Sequence, residues 1–255
     1  MYASDHEFKW ALHAQKSGDT EDAERYLRRY CRELEALRPY DEMVFGKFRL
    51  CGGIKPNPVT VEMPISWIVL AREGTRMLLI SKFCLDWECY DGYCVTYAPD
   101  AQTTWETSTI RRELNKDFFG QAFSEEEKKL ILTTEVRTED NPAYRTKGGN
   151  VTYDKVFLLS REEVIRYFGE NSRNRCEARA DLMMADESYP EKGTIILERQ
   201  PHFWWLRSPG ETPCKAACVD PRGWLDLEGL DVDADEIGIR PAIWIDWGEL
   251  KKERE

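Results

Sequence analysis

FWWLRSPG at residues 203–210 and GIRPAIWI at 238–245 are the two apolar segments that decide the fold. Both are rich in aromatic and β-branched residues, which strands favour, and each carries a single arginine. The stretch between them, ETPCKAACVDPRGWLDLEGLDVDADE at 211–236, is rich in acids and punctuated by glycine. Two strand-like segments on either side of a polar segment predict a sheet in which the polar residues between the strands form solvent-exposed loops.

The composition is that of a globular protein, with 42% hydrophobic and 33% charged residues in a chain of 255. A formal net charge of −11 would repel a phosphate backbone, and no long basic segment offsets it, so we expect no nucleic-acid binding. No apolar run approaches the roughly 18 residues that a membrane helix needs, so we expect no membrane insertion. The N-terminal segment lacks the pattern of a secretory signal, which predicts a cytoplasmic protein whose eight cysteines are reduced.

The N-terminal segment, residues 1–39, is predicted to form a helical hairpin. Apolar residues recur at three- and four-residue spacing over 4–37, and SGDT at 17–20 supplies a turn with an N-cap signal. The pattern resembles a single tetratricopeptide-like repeat. Because one repeat cannot bury its own face, the hairpin should dock through Tyr26, Tyr30 and Leu34 on the main domain, or alternatively bind a partner.

The remainder is predicted to contain one α+β domain over residues 40–248 and a charged tail over 249–255. Apolar runs at 65–70 and 76–81 flank a Glu-Gly turn and predict a β-hairpin. The proline-rich segment 55–64 is predicted as a loop, and residues 155–159 as a strand. Capping signals predict three helices, at 108–116, 124–133 and 160–168.

Six segments in a fixed order carry a resemblance to a known family. They are FGKF (45–48), PISWIVLAREGTRMLLISKFCLD (64–86), WETSTIRRELNKDFFGQAFSEEEKKLIL (105–132), DKVFLLSREEVIRYF (154–168), WWLRSPG (204–210) and GIRPAIWID (238–246). Over residues 43–247 the chain resembles a bacterial domain of unknown function found in Firmicutes. Its ending also resembles the C-type-lectin-like fold shared by variable proteins of diversity-generating retroelements and by formylglycine-generating enzymes.

The lectin-like resemblance implies a small twisted sheet and two helices that support a long, irregular ligand-binding region. The predicted function is non-catalytic recognition of a protein or glycan through the loops of residues 211–236. The resemblance further suggests that the protein is a variable protein of a diversity-generating retroelement. Trp224 follows a glycine at a predicted hairpin tip, where an apolar group would be exposed as an anchor. The ligand-binding candidates are Asp220, Arg222, Trp224, Asp226, Glu228, Asp231 and Asp233. The alternative interpretation is a solvated acidic surface without a ligand.

No cofactor is predicted, although the spacing of Asp231, Asp233 and Asp235 invites a calcium hypothesis. An EF-hand loop requires glycine at its sixth position and glutamate at its twelfth, and these positions hold Glu236 and Ala242. That motif is therefore excluded, and a lectin-style calcium site built from scattered acids stays open as an alternative.

Three residues inside the apolar strands are predicted to be structural. Arg207 and Arg240 are charged residues in apolar runs, so each should need a partner of opposite charge. One of the many acids in the chain could supply it. Trp205 is expected in the core, since adjacent residues of a strand face opposite ways and at least one of Trp204 and Trp205 must be buried.

An enzyme is the alternative function. Cys214 and Cys218 resemble the cysteine pair of formylglycine-generating enzymes, which would make the protein an oxidase, but the Gly-Gly-Ser-Trp type of segment of that family is missing. The chain shows no Cys-x2-Cys knuckle for zinc and no Ser/His/Asp order. No catalytic residue and no metal ligand is therefore assigned.

Overall fold

The computed structural model describes residues 2–3, 6–52, 59–92, 102–169, 179–185, 195–248 and 250 of a mixed α/β protein. The chain begins with a short strand, β1 (Tyr2–Ala3), followed by helices α1 (His6–Ser17) and α2 (Thr20–Ala36). The Asp19 carboxylate accepts a hydrogen bond from the Asp22 amide at 3.0 Å, so it caps α2 as the turn signal predicted. The N-terminal helical hairpin is confirmed.

The hairpin is part of the common hydrophobic core. Tyr30, Cys31 and Leu34 on α2 are buried there together with the strands of the main domain. Arg72 donates to the carbonyl oxygen of Glu35 at 2.7 Å and so ties the end of α2 to the neighbouring sheet. Tyr26, which we expected in the same interface, is only half-buried and packs against Trp10 within the hairpin, with ring centroids 5.4 Å apart. Of the predicted tail 249–255, all residues except Leu250 lie outside the described part of the chain.

The first sheet has the strand order β1-β2-β3-β4-β14, with β2 (Glu42–Gly52), β3 (Val59–Glu73), β4 (Arg76–Ser81) and β14 (Ala242–Asp246). Strand β1 runs parallel to β2, and the other pairs are antiparallel. The predicted hairpin around residues 73–75 is confirmed as β3 and β4.

The predicted loop at 55–64 is wrong from Val59 onward, because β3 begins there; residues 55–58 lie outside the described part. Pro64 is accommodated opposite Lys47, next to the irregularity that interrupts the β2–β3 ladder between Val44 and Lys47. A proline at such a position costs little, since the ladder is already interrupted beside it.

The second sheet has the order β12-β11-β10-β13-β5 and holds the C-terminal segments. Its strands are β5 (Asp86–Trp87), β10 (Trp204–Pro209), β11 (Lys215–Val219), β12 (Leu225–Asp231) and β13 (Gly238–Ile239). Residues 211–236 were predicted as loops, but most of them form the β11–β12 hairpin. The apolar segment 238–245 is split at Pro241 into β13 and β14, which lie in different sheets, because proline cannot donate a ladder hydrogen bond.

The helices of the main domain begin where the capping signals predict. They are α3 (Thr109–Glu113), a π turn (Leu114–Phe118), α4 (Phe119–Ala122), α5 (Glu125–Leu130) and α6 (Arg161–Phe168). Ser108 caps α3, and reciprocal Ser–Glu capping boxes open α5 and α6. Helix α5 ends at Leu130, three residues before the predicted end. Two short antiparallel pairs, β6 (Thr134–Val136) with β7 (Thr152–Asp154) and β8 (Arg179–Ala185) with β9 (Ile195–Pro201), complete the described elements.

The prediction of a strand at residues 155–159 is wrong. Residues 156–159 are buried, but Phe157 makes only an isolated bridge to Ala242. Side chains take the place of a neighbouring strand, because the Asn115 amide oxygen accepts from the amides of Lys155 at 2.8 Å and Val156 at 3.1 Å. The apolar run is therefore buried as an irregular segment whose backbone polar groups find side-chain partners.

Candidate functional site

The tip of the β11–β12 hairpin, residues 220–224, is a tightly hydrogen-bonded turn. One carboxylate oxygen of Asp220 accepts hydrogen bonds from the amides of Arg222 and Trp224, both at 2.8 Å. The Asp220 amide donates to the Trp224 carbonyl oxygen at 2.9 Å, and the Gly223 amide donates to the Asp220 carbonyl oxygen at 2.8 Å. Gly223 has φ +83°, a conformation that glycine adopts without strain. The turn is thus fixed by its own sequence, Asp-Pro-Arg-Gly-Trp.

This turn presents two recognition-type side chains to solvent. Trp224 is 58% exposed, and the Arg222 side chain is exposed with its guanidinium 3.4 Å from the Asp220 carboxylate. Tryptophan and arginine are the residues most enriched among binding hot spots. The expected position of Trp224 at a hairpin tip is confirmed.

The other candidate residues on β12 do not join this tip. The Asp226 carboxylate accepts from the Gly229 amide at 3.0 Å and so holds a bulge, where an added Cβ on Gly229 would lie 2.3 Å from the Ala216 carbonyl oxygen. Asp226 is opposite Cys218 and Asp231 is opposite Lys215. Because Cys218 and Lys215 are three residues apart on β11, the two acids opposite them are separated by roughly 10 Å along the strand.

Glu228 and Asp233 also lie away from the tip. A carboxylate oxygen of Glu228 is 3.7 Å from the Lys215 ammonium. Asp233 follows the end of β12, where its carbonyl oxygen is 3.3 Å from the Cys89 sulfur. The seven candidates are therefore spread along the hairpin, and only Asp220, Arg222 and Trp224 form one local site.

Sequence reasoning missed Asn141, which attaches a neighbouring loop to this hairpin. Its side chain is 2% exposed, and its Nδ2 donates to the carbonyl oxygens of Pro209 at 2.9 Å, Gly210 at 3.1 Å and Leu227 at 2.9 Å. Thr146 of the same loop donates to the Glu211 carbonyl oxygen at 2.7 Å. The only signal in the sequence was a polar segment with Asn-Pro and Gly-Gly pairs, which is typical of any loop.

Arg207 is buried and has the acidic partner that we expected. Its guanidinium forms a salt bridge with Glu163, with Nη2 and Oε1 3.0 Å apart. It also donates to the carbonyl oxygens of Leu158 at 2.7 Å and Arg137 at 2.8 Å. These bonds fix the start of α6 against β10, a structural role.

Arg240 and Trp205 are fully buried as well. The Arg240 guanidinium lies 5.1 Å from the centre of the Trp204 ring, and its Nε donates to the Ser81 carbonyl oxygen at 2.7 Å. The indole of Trp205 donates to the Glu88 carbonyl oxygen at 2.9 Å. Both residues therefore contribute to the core between the sheets.

The cysteine pair offers little support for an oxidase. Cys218 is fully buried in β11, and burial, followed by the charges of Asp226 and Asp220, raises the pKa of its thiol. A thiol in such surroundings stays protonated and is a poor nucleophile. Cys214 is half-buried and is not in a disulfide. Among the residues that the structure describes, no group of three His, Cys, Asp or Glu side chains is arranged to hold a metal ion.

Comparisons with known proteins place most of the main domain in one family. A family model described as a domain of unknown function (DUF6273) matches residues 76–247, from the start of β4 to just beyond β14. No curated protein and no solved structure gave a match. None of the helices within the described ranges has the length and apolar character needed to span a bilayer. The match covers well over half of the chain and contains the β11–β12 hairpin, so this protein belongs to the DUF6273 family, a family defined by a domain of unknown function.

Proposed function

We propose that this protein is a non-catalytic recognition module that binds a protein or glycan ligand through the turn 220–224, with Trp224 as its anchor. The observation that carries the proposal is an exposed tryptophan on a turn that the Asp220 carboxylate holds rigid. A side chain on a preorganised turn loses little conformational freedom on binding, so more of its contact energy contributes to affinity.

The support behind the turn also favours recognition. Asn141 bonds the adjacent loop to the carbonyl oxygens of Gly210 and Leu227, and β10 anchors the hairpin to the core through two buried tryptophans. A rigid sheet that presents a hairpin and loops is a common arrangement for binding surfaces. Asp226, Glu228 and Asp231 add negative charge along β12, which favours ligands with basic groups or with a bridging calcium ion.

The finer fold assignment belongs to the same proposal. A C-type-lectin-like domain presents its ligand region between the strands that correspond here to β10 and β13, and the β11–β12 hairpin occupies that part of the chain. If the assignment holds, residues 211–236 are also the region in which a variable protein of a diversity-generating retroelement would vary.

Binding by a matched pair of variants tests the proposal. Trp224→Ala should weaken binding to any ligand identified on glycan and protein arrays by about 30-fold or more, the effect of losing one hot-spot side chain. Trp10→Ala is the control. Trp10 is 51% exposed on the helical hairpin, so this substitution removes the same kind of side chain at a position away from the turn. Binding that survives Trp224→Ala unchanged would contradict the proposed site. Thiol-dependent oxidation of a substrate that is lost in Cys214→Ser would contradict the non-catalytic class.

A further inference from the structure

A cleft of about 310 Å³ lies away from the turn 220–224, between the α3–π–α4 helix, β2 and the edge formed by β5 and β13. Its volume is at the lower end of small-molecule binding sites. The lining residues that matter here share a simple arrangement, an apolar floor below a rim of charged groups.

One face of the helix supplies both parts of this arrangement. Its apolar row consists of Ile110, Leu114, Phe118 and Ala122, and beside it runs a polar row of Glu113, Asp117 and Gln121. Within each row the residues are four apart, so the two rows lie next to each other along the helix. At 1.5 Å per residue the polar row extends over about 12 Å. The π turn at Leu114–Phe118 lies in the middle of this face, and such turns recur at functional sites.

Two further carboxylates reach the cleft from the opposite edge, Asp86 in β5 and Glu88 just after it. Within the ranges that the structure describes, none of the acids Asp86, Glu88, Glu113 and Asp117 forms an ion pair. Partial burial, followed by repulsion from Asp117 and Asp86, raises the pKa of Glu113, and the nearby charge of Arg112 offsets only part of this rise. Partial burial, followed by repulsion from Glu113 and Asp86, also raises the pKa of Glu88. Repulsion from the helix thus reaches Glu88, and repulsion from β5 reaches Glu113, across the cleft.

The cations on the third side compensate these acids only in part. Lys47 and Arg49 line the cleft from β2, but both bind Glu62, at 2.7 Å and 2.9 Å. These hydrogen bonds also lower the pKa of Glu62, so it stays ionised opposite its two partners. The four carboxylates of Asp86, Glu88, Glu113 and Asp117 outnumber the two cations in the lining, so the rim carries a net negative charge above an apolar floor.

We propose that this cleft is a second binding site, which takes a small organic cation made of a primary amine or guanidinium on an apolar body. The apolar body would cover Leu114 and Phe118, and the cationic head would lie among the carboxylates of Glu88, Glu113 and Asp117. A bare metal ion fits less well, because among the described residues the acids are not grouped closely enough to share one ion. A cation would also relieve the repulsion that raises the carboxyl pKa values.

The test uses titration calorimetry of the full chain with phenethylamine and with its neutral analogue 2-phenylethanol. Phenethylamine should bind at least about tenfold more tightly than the alcohol, since only the amine can form charge-assisted hydrogen bonds with the rim. An amide of lysine is the third probe, and tighter binding of this probe would show that the cation is carried by a peptide rather than a free amine. Equal binding of amine and alcohol, or binding of no probe below about 10 mM, would overturn the proposal.

Three variants locate the site and separate it from the turn 220–224. Glu113→Gln should weaken amine binding about tenfold, whereas Glu139→Gln, which neutralises an exposed glutamate elsewhere, should not. Gln121→Trp should fill the exposed end of the cleft and block the amine while it leaves the charges intact. Trp224→Ala should leave amine binding unchanged. Amine binding that persists in both Glu113→Gln and Gln121→Trp would overturn the assignment to this cleft, whatever the outcome at Trp224.

Discussion

Replacing Asn141 by alanine should detach the loop that supports the β11–β12 hairpin and should lower the free energy of unfolding substantially. The side-chain amide supplies its N–H groups to the carbonyl oxygens of Pro209, Gly210 and Leu227, at 2.9 to 3.1 Å. The side chain is 2% exposed, so water does not replace these donors without a rearrangement. The amide oxygen also accepts from two backbone amides of its own loop, at 3.0 and 3.2 Å.

The magnitude follows from the number of buried groups that lose a partner. Each buried polar group left unsatisfied costs about 1–3 kcal/mol, and partial relaxation of a surface loop recovers some of it, so we expect a total near 3 kcal/mol. For a chain of this size that lowers Tm by roughly 6–12 °C. Urea unfolding followed by tryptophan fluorescence measures the change. Asn150→Ala is the matched control, because Asn150 is exposed, and its 2.9 Å bond to Glu106 should contribute less than about 0.5 kcal/mol.

Equal small losses in Asn141→Ala and Asn150→Ala would refute the reasoning, since burial would then not distinguish the two amides. A large loss in both would point instead to a general sensitivity of the loop.

Two further predictions concern charges. Arg207→Lys should lower the free energy of unfolding by about 2 kcal/mol in a urea titration, because one ammonium group cannot reach Glu163 and two carbonyl oxygens together. Arg222→Lys, at an exposed pair, should change it by less than about 0.5 kcal/mol, and similar losses in the two variants would contradict the structural role of Arg207. Glu113→Gln should raise Tm by about 1 °C at pH 7, because the raised pKa of Glu113 means that its ionisation destabilises the folded state. The expected gain is small because Glu113 is partly exposed and solvent screens its charge. The gain should disappear below about pH 4, where Glu113 is protonated in both states, and a gain that persists there would show that charge is not its cause.

Local signals in the sequence were sufficient for the helix starts and for the first hairpin. Ser124 with Glu127, and Ser160 with Glu163, follow the capping-box spacing and form the reciprocal bonds that this spacing predicts. The apolar runs on either side of residues 73–75 likewise pair as β3 and β4. In each case the deciding contacts lie within a few residues of one another, so the chain carries the information in one short window.

Features that depend on contacts between residues distant in sequence could not be predicted from such local signals. The run at 155–159 has the composition of a strand, and it is irregular because Asn115 and Arg207, from other parts of the chain, satisfy its backbone groups. The hairpin tip was predicted correctly because Gly223 and Trp224 are neighbours in sequence. The spread of the remaining acids along β12 depends on strand register, which composition does not reveal.

The cleft likewise could not be predicted from the sequence. Its acids come from β5, from the residues just after it and from the helix that begins at Thr109. The sequence of each stretch alone predicts only an ordinary charged surface. Only the packing of the helix against the edge formed by β5 and β13 partly buries Glu88 and Glu113 and brings Asp86 near both, and burial followed by this repulsion raises their pKa values. Such repulsion lowers the stability of the folded state, and it is offset only in part, because Lys47 and Arg49 pair with Glu62 and Arg112 acts on Glu113 alone among these acids. The excess of carboxylates over cations in the cleft is the observation that supports the proposed binding of an organic cation, and the amine titration tests that step directly.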